Sequence, residues 1–210
     1  MKKMNKKILV ATVAGIILVA GFSLFALNEP KSLTPKMNLS YDSSNSKLQS
    51  LLAMNEISMS NPLVITGSSI EKYCKFFSDE NFQNSILRCT STELTDSKGS
   101  FIGNVHMVGD NDVPFAVLGI MQTDPFMSEI NSVNVVSEAM IESLVCDCWD
   151  EKQPGGFESV SEWLDAAKSH HLQAKKVTSK SEINGLAEKH VLIEISTNTE
   201  GYLWKLIITS

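Results

Sequence analysis

The chain has 210 residues and a net charge of −6, from 18 basic and 24 acidic side chains. Four of the basic residues are Lys2, Lys3, Lys6 and Lys7, so the remainder sets fourteen positive charges against 24 negative ones, a balance of −10. That sign argues against nucleic acid and anionic lipid headgroups as partners of the later residues, while also serving plain solubility.

Ile8 to Leu27 is a run of twenty residues without a charge. As a helix it would rise about 30 Å, the thickness of a bilayer's hydrocarbon core. The lysines flank it on one side only, and such flanks stay in the cytoplasm. Residues 1–27 therefore read as a transmembrane signal-anchor. The chain is expected in the cell membrane, single-pass, with its C-terminal domain extracytoplasmic. A cleaved signal is the competing reading. Its apolar run is ordinarily about 7–15 residues and ends at a small-x-small site, whereas Phe22-Ser-Leu-Phe-Ala-Leu27 offers no Ala-x-Ala.

Residues 28–60 read as a flexible tether. Pro30, Pro35 and the polar run Ser40–Lys47 show no period of either kind. Leu48–Met54 suggests a short helical turn, and Asn38-Leu-Ser40 is a glycosylation sequon. Residues 61–210 then form the domain proper, about the size of one ordinary domain with its own core.

Leu63–Thr66 suggests a strand. Ser68 or Ser69 can cap a helix with Ile70, Tyr73, Cys74 and Phe77 on one face. Residues 85–94 fit helix or strand. Residues 101–108 and 113–121 flank Gly109-Asp-Asn-Asp112 as a β-hairpin, and a strand over 86–95 would make it a meander. Pro114, lacking an amide donor, belongs at a strand start or edge. Val133, Val136, Met140, Ile141 and Leu144 recur at helical spacing. Ser159-Val-Ser-Glu162 is a capping box for a helix burying Trp163, Leu164 and Ala167, and Pro154-Gly-Gly156 separates the two helices. Ile183-Asn-Gly-Leu186 marks a turn. A final hairpin alternates Val191, Ile193, Ile195 with Tyr202, Trp204, Leu206, Ile208. The fold class expected is α+β: antiparallel sheet packed with helices.

Four cysteines, Cys74, Cys89, Cys146 and Cys148, carry the main chemical argument. In an oxidising compartment an even number reads as two disulfides. Cys146–Cys148 is the least favoured pair because its ring is tight. Bridges then run from Cys74 and Cys89 to the Cys146/Cys148 pair, or Cys74 joins Cys89 beside a strained or free pair. The competing reading is a soft-metal site for Cu or Zn. Cys146-Asp-Cys148, if extended, puts both sulfurs on one side, and Cys74 or Cys89 with His170, His171, His106 or His190 would complete it. A lone C-x-C lacks the paired spacing of structural zinc sites.

No catalytic motif is present. The histidines lack a nucleophile elbow, His170-His171 is expected in solvent near a helix C-terminus, and Asp110-Asn-Asp112 has Phe115 and Met121 where a calcium loop needs Gly and Glu. Asp147, Asp150 and Glu151 beside Trp149 read as a recognition patch or a solvated loop.

The order of the capped helix from Ser159, Ile183-Asn-Gly-Leu186 and Gly201-Tyr-Leu-Trp-Lys-Leu-Ile-Ile208 resembles the C-terminal part of PsbP/Mog1-type α/β/α sandwich domains. In overall style the chain also resembles uncharacterised membrane-tethered archaeal proteins. Both resemblances imply an accessory or binding scaffold and carry over no functional residue. The function expected is a membrane-anchored, non-enzymatic binding module without a cofactor, for a protein or small-molecule partner; the alternative is a Cu or Zn handling protein using Cys146 and Cys148.

Overall fold

The computed structural model describes Met37 and residues 39–210. The apolar run 8–27, the first part of the tether and Asn38 of the sequon lie outside the described residues. No helix among the described residues is long and apolar enough to cross a membrane.

Within the segment read as a tether, the helical turn expected over Leu48–Met54 is the end of a longer helix that begins at Tyr41. Helix α1 (Tyr41–Met54) is capped by Ser40, whose Oγ accepts the Ser43 N–H at 3.3 Å. It turns Tyr41, Ser44, Asn45, Leu48 and Leu52 inward. The stripe has helical spacing, but Ser44 and Asn45 occupy two of its buried positions, which hides the apolar period. Burial of Leu48 and Leu52 contributes about 1.5–3 kcal/mol each. The Tyr41 hydroxyl donates toward the carbonyls of Asp110 at 3.0 Å and Arg88 at 3.2 Å. The Arg88 guanidinium lies 4.4 Å from the Tyr41 ring centroid. The folded unit accordingly runs over Pro35–Ser210.

The strands are β1 (Ser58–Met59), β2 (Leu63–Thr66), β3 (Arg88–Thr95), β4 (Phe101–Gly109), β5 (Pro114–Thr123), β6 (Thr178–Leu186), β7 (Lys189–Asn198) and β8 (Gly201–Thr209). They form one eight-stranded antiparallel sheet in the order β1-β3-β4-β5-β8-β7-β6, with β2 also pairing β3. The first hairpin closes where expected, with Pro114 at the start of its strand. Gly109 is needed there because a Cβ would stand 2.3 Å from the Val113 carbonyl oxygen and 2.6 Å from the Pro114 Cα. Ile183–Leu186, read as a turn, instead ends β6. The reversal follows at Ala187 and Glu188, both with positive φ.

Alternation along the strands gives the sheet two faces. Val105, Met107, Val117, Val191, Ile193, Trp204 and Leu206 point to one of them. That face is covered by α1, by α4 (Ile130–Leu144), by the short α5 (Trp149–Lys152), and by α6 (Val160–Ala174). The expected positions Val133, Val136, Met140, Ile141 and Leu144 are all buried. Ser159 accepts the Glu162 N–H at 3.1 Å, while the Glu162 carboxylate takes the N–H of Glu158 at 2.6 Å, one residue before the box geometry. On the opposite face, Cys89, Val108, Ala116 and Leu118 meet Ile70, Cys74 and Ile86. The cover there comes from α2 (Ser69–Tyr73) and α3 (Glu80–Asn84). Helix α2 is only five residues long. Its Ile70 is buried, and so is Cys74 just beyond it, but Tyr73 is exposed and Phe77 half-buried, so the expected four-residue face does not form.

Candidate functional site

Strand β2 lies at an edge of the sheet. Among the described residues its only strand partner is β3, with Leu63 opposite Ser91 and Ile65 opposite Cys89. A strand paired on one side leaves alternate N–H and C=O groups facing outward, ready to pair with another chain. Natural edges are usually blunted by charge or proline, yet Leu63-Val-Ile-Thr66 carries neither. Leu63 is 65 % exposed, Val64 50 % and Tyr73 55 %.

These side chains border a cleft of about 580 Å³. Its floor follows from strand register: Leu63 pairs Ser91, and Ser91 pairs His106 on β4. Tyr73 comes from α2, and Ser69 and Thr66 complete the rim. The Phe76 ring lies 4.6 Å from the imidazole of His106. Phe76 is held there by Gln83, whose Oε1 accepts the Phe76 N–H at 3.1 Å and whose Nε2 donates to the Cys74 carbonyl at 3.0 Å.

His106 is the polar group of this cleft that matters most. Its Nδ1 is shielded from solvent and has no hydrogen-bond partner. Burial lowers its pKa to about 4, so it is neutral at physiological pH. A neutral imidazole can donate from one nitrogen and accept at the other. An apolar cleft with a few fixed polar groups is the usual build of a ligand site.

The cysteines pair as Cys74–Cys89 and Cys146–Cys148. Of the two arrangements expected, this is the one that joins Cys74 to Cys89; the bridge between Cys146 and Cys148 corrects the expectation that a tight ring would disfavour it, and no bridge spans the middle of the chain. Cys148 is the N-cap residue just before α5, and the bend out of α4 places the two Cα atoms 5.2 Å apart, inside the range a bridge requires. Cys74 and Cys89 lie in the core opposite the helical layer, whereas Cys146 and Cys148 pack at the edge of the helix-covered core. The four sulfurs do not converge. With both pairs bridged no thiolate is available, and among the described residues no group of three or more His, Cys, Asp and Glu is placed to hold a metal. The donor set considered for Cu or Zn does not fit a soft ion in this state.

The other histidines stand apart. His171 is buried rather than in solvent: its Nδ1 meets Ser179 Oγ at 2.9 Å and its Nε2 meets Thr197 Oγ1 at 2.8 Å, tying α6 to β6 and β7. Burial, with a smaller effect from neighbouring His170, lowers its pKa. His170 is exposed. His190 pairs Glu182 at 3.1 Å on the open sheet face. Asp147, Asp150 and Glu151 are exposed around buried Trp149, whose Nε1 donates to the Phe157 carbonyl at 3.1 Å.

Leu63, Val64, Tyr73, Ser91 and His106 come from four separate elements, so no local pattern in the sequence marks them as a site. No family model, curated protein or solved structure matches the chain.

Proposed function

We propose that this protein is a non-enzymatic binding module, anchored in the membrane by residues 8–27, whose extracytoplasmic unit captures an extended apolar segment of a partner protein along β2. One observation carries the reading: an uncharged edge strand, open on its outer side among the described residues, borders an apolar cleft with neutral His106 in its floor. Added strands gain affinity from backbone pairing and specificity from alternate side chains. The cleft suits a peptide better than a compact small molecule because it lies along the strand that would supply those hydrogen bonds. The two disulfides support an oxidising compartment, and the one-sided lysines support the orientation.

Selection of linear peptides from a random library against the 35–210 unit tests the binding reading. The expected winners alternate apolar residues and lose binding at least tenfold on Leu63→Lys, one charge in the groove being enough to remove about 1.4 kcal/mol of affinity. Recovery of small apolar molecules alone, or peptides indifferent to Leu63→Lys, would contradict it. Protease added to intact cells should digest the 35–210 unit; protection until lysis would refute the orientation.

A further inference from the structure

The two bridges differ in what they can do for the fold. Cys74 and Cys89 are both fully buried and 15 residues apart, so their bridge constrains the unfolded chain by about 3 kcal/mol on the entropy model. Cys146 and Cys148 are two residues apart, and closing so short a ring removes little chain freedom. This second bridge is also reachable. Both its cysteines are half-buried and line a cleft of about 330 Å³ between the end of α4 and the start of α6. A weak staple placed in an open cleft suggests reactivity rather than support.

The surroundings specify the reaction partner. Glu138, Glu142, Asp147, Asp150 and Glu151 all line the cleft, and no lysine or arginine does. Lys152 stands at the end of α5, outside this lining, and Lys47 donates its Nζ to the Glu142 carbonyl at 3.4 Å. Desolvation first, then the charges of Asp150 and Glu142, raise the pKa of Glu138. An approaching anionic thiol is repelled by this field, and a thiol flanked by cations is drawn in.

We propose that Cys146–Cys148 is a thiol–disulfide exchange centre that oxidises a dithiol on a basic protein partner. A partner thiolate bonds to one sulfur of the pair. The bond between the Cys146 and Cys148 sulfurs breaks, and the departing sulfur leaves with the electron pair and takes up a proton. The partner's second thiol then loses its proton and attacks the partner sulfur of the mixed disulfide, releasing the remaining cysteine as a thiolate that is protonated in turn. The partner dithiol is oxidised by two electrons to a disulfide, and Cys146 and Cys148 are reduced to two thiols.

The test uses the full chain in detergent with reduced Cys-Gly-Gly-Cys peptides flanked by lysines or by glutamates. Alkylation and mass spectrometry report which thiols appear, and rates are normalised to each peptide's reaction with a neutral small disulfide. The expected result is one equivalent of lysine-flanked peptide oxidised, alkylation at Cys146 and Cys148 only, and a rate at least about tenfold above the glutamate-flanked peptide at low salt. That ratio should fall toward one in about 1 M salt, and should narrow in the E142Q/D150N variant. No oxidation, thiols appearing first at Cys74 and Cys89, or equal normalised rates for the two peptides would each overturn the proposal.

Discussion

The Phe76 ring lies 4.6 Å from the imidazole of His106, and the His106 Nδ1 behind it has no partner. The contact joins the loop after the Cys74–Cys89 bridge to the floor of the β2 cleft. It keeps a histidine in an apolar setting that favours the neutral ring.

This setting has a consequence for pH. An imidazole that titrates near 6.5 when unfolded and at about 4 when folded binds its proton more readily in the unfolded chain. Its share of stability is therefore complete above about pH 6.5 and is lost as pH falls toward about 4, a share of about 3 kcal/mol. His171, also lowered, acts in the same direction. Urea unfolding of wild type and His106→Phe at pH 7 and pH 4.5 separates the two. The loss of stability on acidification should be about 2–3 kcal/mol smaller in the variant; an equal loss would place the acid sensitivity elsewhere.

Tyr41 tests where the folded unit begins. Its hydroxyl reaches two carbonyls, on β3 and in the β4–β5 turn, and burial raises its pKa well above the ordinary phenol. Tyr41→Phe keeps the ring and removes the donor, so unfolding free energy should fall by about 1–2 kcal/mol. A change near zero in denaturant melts would mean that α1 is not held to the sheet as described.

Thr92 makes the opposite prediction. It is 1 % exposed on the helix-covered face, and its Oγ1 has no hydrogen-bond partner. Thr92→Val preserves the shape, removes the unpaired hydroxyl and suits a strand. Thermal unfolding should show a gain of about 1 kcal/mol; a loss of that size would reveal a hydrogen bond to Oγ1.

How much of this was legible in the sequence depends on how each element buries itself. The β4–β5 hairpin was plain because two apolar runs flank the Gly109-Asp-Asn-Asp112 turn, and the β7–β8 hairpin because Val191, Ile193 and Ile195 alternate with less buried residues. Helix α1 was obscured because Ser44 and Asn45 hold buried positions that an apolar period would fill. The sequence hides strand β6 for a related reason: it is an edge strand with only Ser179, Ile183 and Leu186 buried. The cysteine pairing depended on the bend after α4, which no local spacing reveals. The cleft was the least legible feature. Its floor is a register relationship from Leu63 through Ser91 to His106, and register between distant strands is set by the whole sheet.

Amide hydrogen exchange of the 35–210 unit, with and without a selected apolar peptide, measures strand addition at β2 most directly. The outward-facing amides within Leu63–Thr66 are expected to exchange fast in the free protein and to slow at least tenfold when the peptide is bound, as new backbone hydrogen bonds close over them. Peptide binding that leaves these amides unprotected, with any slowing confined to other elements, would contradict it.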